Sequence, residues 1–404
     1  MDSLRDIIPV TKKTLTLRRN LFSCDDPYKV KVKVKHTRKR GRNRGRERLL
    51  SRERNRGRGS SGERGRRGSS GKKGSSGRKG RKGRKGKNRG RDSRRKQVTY
   101  KCYPLDHTLA KNQMMRFLER SRTWDCVSGP KQKLGNCWFN VMFMSFFISD
   151  YGFEYTRPLR RLMIRGERLS KAEARAATGT LSRDTLDSSR PKIHKLLQLS
   201  FLKLNACIQA SIDCTDQSYP LLKNTNFIIG DIAGVIQDKS YSVYKVNDKN
   251  GGNPIHYYKI ILSYLLNTDF KNTKRNKHFY HTGTISTFRG ILNNSIAVHS
   301  NIVTFEYMFL TSEDNKVKVL SFENNGHTYV LDSIIISNDE HYISFLTVNG
   351  KEYAFDGESY SRIVPMKWKH RILDDTKFNL TGMSLEDYSF SFSNGSQILF
   401  YCRV

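Results

Sequence analysis

The run Leu134-Gly135-Asn136-Cys137-Trp138-Phe139-Asn140 opens the most apolar stretch of the chain. Gly135 permits a tight turn and Asn136 is a good helix N-cap. Cys137 then falls in the first turn of a helix predicted over 134–149. A thiol at that place faces the positive end of the helix dipole and unpaired backbone N–H groups. Both favour the thiolate, and the same N–H groups can hold the oxyanion of a tetrahedral intermediate. A small cysteine beside Trp138 also suits a plain core position, so the segment alone leaves both uses open. Thiol catalysis needs a base, and the base needs an orienting acceptor. Of the ten histidines, His341 opens a predicted strand, Asn349-Gly350 makes a two-residue turn, and the return strand ends at Phe355-Asp356-Gly357. In an antiparallel hairpin the start of one strand lies beside the end of its partner, so Asp356 comes within reach of His341. His327 is a rival base, but no carboxylate follows it at hairpin register.

These residues need two kinds of element to position them. The first half of the body reads as helical, over 134–149, 159–177, 192–213 and 254–266. The second reads as strands, over 302–310, 316–322, 329–336, 342–348, 352–355 and 397–403, with a second hairpin signal at Asn394-Gly395. A helical half carrying the cysteine, followed by an antiparallel half carrying the histidine, is the layout of a papain-like cleft. The expected class is α+β, in one domain over residues 100–404.

Residues 1–99 read as a disordered basic arm. Of 75 Lys and Arg, 31 lie between Lys31 and Lys96 with only four acids, so +27 of the formal +38 sits there. Residues 37–96 are nearly all Arg, Lys, Gly and Ser, including GRKGRKGRKG at Gly77–Gly86. Such a tract buries too little to offset its ordering entropy, and a polycation calls for a polyanion. Non-specific nucleic-acid binding through 31–96 by counterion release is the expectation. No aromatic residue occurs from Gly41 to Gln97, which argues against base stacking.

The seven cysteines are widely spaced with no C-x-x-C pair, which points to a reducing, intracellular setting (cytoplasm or nucleus of a host cell, or a virion) without a zinc knuckle or disulfide framework. No metal or cofactor is called for. The N-terminal MDSLRDIIPVTKK has no secretory h-region, and the longest apolar run is too short to span a bilayer.

LGNCWFN resembles the Cys box of ubiquitin-specific proteases, where Leu-Gly-Asn leads into the nucleophile. Tyr329-Val330-Leu331, His341-Tyr342 and Tyr353-Ala354-Phe355-Asp356 resemble that family's His box, and Ile398-Leu399-Phe400-Tyr401 is similar to its last strand. The matches keep the family's order and cover about 90 of the last 300 residues. In character the chain resembles the divergent members encoded by large DNA viruses. The resemblance implies a cysteine peptidase that removes ubiquitin from lysine side chains, with Cys137 as nucleophile, His341 as base and Asp356 as its partner. It also implies an oxyanion-hole side chain a few residues before the cysteine, either Gln132 or Asn136. Two positions depart from the pattern: no residue separates Asn136 from Cys137, and Glu340 stands where the family has Gly. Processing of another protein, or a non-catalytic scaffold serving the basic arm, are the competing expectations.

Overall fold

The structure, a computed structural model, describes residues 29–35, 98–120, 124, 126–176, 190–237, 252–267, 280–307, 312–380 and 389–404. The low-complexity tract 37–96 lies outside the described residues. Two compact units divide the chain, residues 1–32 with 101–404, and Lys33–Tyr100. In the second, only the strand residues at either end are described. Strands β1 (Lys29–Lys35) and β2 (Val98–Pro104) make a separate two-stranded sheet. The sequence KVKVKVK alternates with the strand period, which gathers Val30 and Val32 on one buried face. That alternation lies inside the stretch read as an arm, where the charge masked it.

The helices come first: α1 (Thr108–Leu118), α2 (Cys137–Phe143), α3 (Asp150–Arg165), α4 (Lys171–Ala176), α5 (Lys195–Ile212), α6 (Pro220–Lys223), α7 (Asn226–Gln237) and α8 (Pro254–Leu266). The sheet follows: β3 (Tyr280–Gly283), β4 (Ile302–Tyr307), β5 (Ser321–Asn324), β6 (His327–Ser337), β7 (Tyr342–Val348), β8 (Lys351–Phe355), β9 (Val364–Pro365) and β10 (Ser396–Arg403), with α9 (Ile285–Leu292) and α10 (Ser312–Asn315) between strands. The mixed α+β class of the sequence reading is what the described residues form.

The helix predicted over 134–149 is broken in two. After α2 the chain widens into a π turn, Met144–Ile148. Ser149 then stops it and caps α3, accepting from the Gly152 N–H at 3.2 Å. The helix predicted over 159–177 starts earlier, at Asp150, and ends at Gly166, whose φ of 72° makes a left-handed cap. The strand predicted over 316–322 starts only at Ser321, because a turn follows α10 at 316–317 and the chain is irregular to 320. Asn394-Gly395 forms a bend ahead of β10, not a hairpin, since β10 pairs with β4 and β6.

The sheet order is β3-β4-β10-β6-β7-β8-β9, with β5 added against β6. Only β3–β4 is parallel. Central β10 is buried on both faces from Gln397 to Cys402. One face presents Ile302, Ile335, Leu346 and Phe400 to the helices. The other presents Phe305, Ile334, Phe345 and Tyr401 to Phe288 of α9 and to Trp368 and Phe392. Every residue of α2 is buried, and α2 packs on β7 and α8. Helix α2 is therefore the floor of the joint between the helical layer and the sheet. Among the described residues no helix is long and apolar enough to cross a membrane.

The cysteines correct the sequence reading. Cys126 and Cys214 are disulfide-bonded, with Cα atoms 5.5 Å apart, and Cys102 is also disulfide-bonded. A separation of 88 residues hides the first pair from any spacing rule. Cys137, Cys207 and Cys402 are free thiols.

Candidate active site

Hairpin β7–β8 has the predicted turn. Asn349 (φ 53°) and Gly350 (φ 70°) both take the left-handed conformation, and Val348 pairs with Lys351. Register carries through to Ser344 opposite Phe355, so His341 and Asp356 lie just past the open end. Their side chains meet there, His341 Nε2 at 2.8 Å from Asp356 Oδ1. Both are almost completely buried, at 1% and 0% exposure. The other ring nitrogen is left for Cys137, whose side chain is hydrogen-bonded to His341. Cys137 is the first residue of α2 and 7% exposed. Three residues from remote parts of the sequence thus form one chain of hydrogen bonds. His327 sits at the opposite end of β6, ten residues and roughly 33 Å away along the strand.

The electrostatics follow from burial and contact. Burial alone would push the His341 pKa down. The hydrogen bonds to Asp356 and Cys137, and their charges, outweigh it and raise the pKa to about 9. Burial opposes ionisation of Asp356 as well, but His341, the Ser359 hydroxyl and the Glu358 N–H hold its carboxyl below the usual range. That N–H donates to Oδ1 at 2.9 Å.

Sequence reasoning missed the residue that presents His341. Asn338 Oδ1 accepts from the N–H groups of Glu340 (3.3 Å) and His341 (2.9 Å). This side-chain-to-backbone turn shapes the corner between β6 and β7. It also explains why Glu340 is tolerated where the resembled family has Gly. Only its backbone is engaged there, and its side chain is exposed.

The segment before Cys137 is held on two sides. Toward the helices, the Ser128 N–H donates to Ser211 O (2.9 Å) and the Lys131 N–H to Leu222 O (2.7 Å). Toward the sheet, the Gly129 N–H donates to Ser361 O (3.1 Å), the Gln132 N–H to Gly357 O (2.8 Å), and the Ile363 N–H to Val127 O (3.3 Å). Gly357 permits this approach, since a Cβ there would lie 2.9 Å from Pro130 O. The chain then turns through Leu134 (φ 50°) and Gly135 (φ 70°) into α2.

The two oxyanion candidates have different surroundings. Asn136 does not cap α2 with its side chain, contrary to expectation. Its Oδ1 accepts from the Lys133 N–H at 2.7 Å, and its Nδ2 donates to Thr225 Oγ1 at 2.8 Å. Both ends of that amide are therefore occupied by the loop and by Thr225. Gln132 has one weak contact, Nε2 to Glu358 Oε2 at 3.5 Å, while its Oε1 is buried without a hydrogen-bond partner. A half-turn of that amide puts the donor Nε2 on the buried side for the loss of only the Glu358 contact. The backbone supplies more donors. The Phe139 and Asn140 N–H groups bond Asn136 O, which leaves those of Cys137 and Trp138 as first-turn donors without an intrahelical acceptor. Among the described residues no group of three His, Cys, Asp or Glu could hold a metal ion.

No protein-family model and no curated protein matches the chain. Solved structures similar to it include an essential yeast splicing factor, at 7% identity and TM-score 0.38, covering 71% of this chain and 72% of that one. Another is the SAGA Ubp8/Sgf11/Sus1/Sgf73 DUB module, at 8% identity and TM-score 0.39, covering 74% and 75%. The same module bound to monoubiquitin matches at 8% identity and TM-score 0.37, covering 74% and 76%. What the site can do is read from its own geometry: a buried thiol, imidazole and carboxylate in hydrogen-bonded series, beside unfilled N–H donors.

Proposed function

We propose that this chain is a thiol hydrolase that cleaves the amide or isopeptide bond following a ubiquitin tail. The observation that carries the chemistry is the hydrogen-bonded series Cys137–His341–Asp356, with the cysteine at a helix start. Ubiquitin as substrate rests on the Cys-box and His-box residues of the sequence. With its pKa raised to about 9, His341 takes and holds the thiol proton of Cys137, so the two react as thiolate and imidazolium. Cys137 Sγ attacks the carbonyl carbon, and the N–H groups of Cys137 and Trp138 with Gln132 Nε2 hold the oxyanion. The imidazolium gives its proton to the leaving amine, and the C–N bond breaks as the thioester forms. Neutral His341 then takes a proton from water, whose oxygen attacks the thioester. Collapse releases the carboxylate and restores the thiolate–imidazolium pair. Asp356 keeps the ring oriented through both transfers.

The test is labelling with a ubiquitin bearing a C-terminal electrophile, comparing wild type with Cys137→Ser and His341→Ala. Labelling of wild type at Cys137, lost in Cys137→Ser, is the expected result. Wild type labelled at another cysteine sinks the assignment of the nucleophile. A Cys137 that reacts with iodoacetamide but never with the ubiquitin electrophile keeps the hydrolase and removes ubiquitin as its substrate. The basic arm is proposed, on its charge alone, to carry the hydrolase to nucleic acid inside the cell. Deleting 31–96 should abolish salt-dependent nucleic-acid binding and spare cleavage.

A further inference from the structure

Thr225 lies 88 residues after the nucleophile and is fully buried. Its carbonyl accepts from the Ile228 (2.9 Å) and Ile229 (3.1 Å) N–H groups, the place of an N-cap for α7. A threonine there ordinarily turns its hydroxyl back to its own helix. Here the hydroxyl goes elsewhere. It donates to Asn140 Oδ1 at 2.9 Å and accepts from Asn136 Nδ2 at 2.8 Å. A hydroxyl has one hydrogen, so these two bonds fix which end of each asparagine amide faces the loop. Asn140 is thereby left to donate through Nδ2 to Lys131 O at 3.2 Å, and Asn136 to accept the Lys133 N–H through Oδ1 at 2.7 Å. Those contacts flank Gln132 on both sides. Asn140 is itself fully buried, so the web has no water to fall back on.

We propose that Thr225 is a positioning residue for acyl transfer: through Asn136 and Asn140 it holds the loop 130–133 where the Gln132 side chain serves the oxyanion. This rests on the hydrolase reading above. Without the hydroxyl, Asn140 Oδ1 is buried without a partner and Asn136 Nδ2 keeps only a long contact to Lys131 O at 3.5 Å, and either amide can relieve this by turning over. Turning over presents the wrong end to Lys131 O or to the Lys133 N–H and lets the loop shift. A shift of that kind acts on the transition state, because the oxyanion exists only there.

The experiment compares wild type, Thr225→Val, Thr225→Ser, Gln132→Ala and the Gln132→Ala/Thr225→Val double variant. Three readouts are kcat and KM for a ubiquitin C-terminal amide, the rate of iodoacetamide alkylation of Cys137, and thermal unfolding. Alkylation is the control, because it forms no oxyanion. Thr225→Val should lower kcat by about 10- to 100-fold, the range for a displaced oxyanion donor, with KM and alkylation unchanged. Thr225→Ser should restore kcat. The double variant should be no slower than Gln132→Ala, since the two losses are one loss. If Thr225→Val does not fold, Thr225→Cys, of similar volume and with a weaker donor, takes its place with the same expected order. A folded Thr225→Val with wild-type kcat overturns the inference and leaves the hydrolase standing. So does a fall in alkylation parallel to kcat, which would put Thr225 behind the thiol instead. A wild type inert toward the amide and toward other peptides removes the hydrolase reading and this inference with it.

Discussion

Replacing Asp356 by Asn keeps the shape of the side chain and removes the charge that sustains the imidazolium. Burial pushes the His341 pKa down, yet contact with Asp356 and Cys137 brings it from 6.5 to about 9. A difference of that size is worth about 3 kcal/mol, at about 1.4 kcal/mol per unit. Asp356 supplies the larger part, so Asn costs the imidazolium about 2 kcal/mol, or roughly 30-fold in its share at a given pH. The assay is the pH profile of kcat/KM on a ubiquitin C-terminal amide. Its basic limb, where the leaving amine loses its proton donor, should fall near 9 in wild type. In Asp356→Asn it should move about 1.5 units toward acid. Stability carries the same sign. A folded pKa above the unfolded value gives stability that is complete below about 6.5 and lost as pH rises through about 9. Guanidinium midpoints should therefore decline across that window in wild type and stay flatter in the variant. A basic limb that stays near 9 in Asp356→Asn would refute the assignment of Asp356 as the source of the raised pKa.

Gly129→Ala should destabilise the protein by 1–3 kcal/mol or more, since its Cβ would lie 1.8 Å from Phe355 Cε2, and urea midpoints measure it. Asp332 is fully buried, and burial raises its pKa to about 6 despite the Ser149 hydroxyl and Gly152 N–H bonds. A folded value above 3.8 costs stability as pH climbs through 6, so Asp332→Asn should gain on wild type at pH 7 relative to pH 4, by up to about 3 kcal/mol. Replacing Cys126 and Cys214 together by Ser should lower stability by about 4 kcal/mol in non-reducing buffer, for an 88-residue loop, and by little in dithiothreitol.

The His341–Asp356 pair was legible because a two-residue turn leaves no freedom of register. Once Asn349-Gly350 is a hairpin, His341 and Asp356 are placed by counting. Helix α8 was legible for a related reason, as Asn253 caps it and Pro254 starts it. Other features were hidden by distance. The Asn136 side chain looked like a local cap, but its partner Thr225 is 89 residues away and no local rule names it. The disulfide was hidden in the same way. The π turn after α2 was illegible because an unbroken apolar run carries no mark of where a helix widens. Asn338 was readable in principle: an asparagine three residues before the histidine that leads into a strand is an Asx-turn signal.

Residues 127–133 form a seam between the two sides of the cleft. Their amides are shared between the helical layer and the loop that follows β8, so the two sides cannot swing apart at the site without breaking backbone bonds on one of them. The amide hydrogens of Lys131 and Gln132 should exchange with deuterium as slowly as those of the sheet interior, through global unfolding alone. A cleft closed in this way cannot be switched by hinging. Any control over the proposed hydrolase has to act on what reaches the site, or on where the chain is delivered, because the two sides themselves are sewn together.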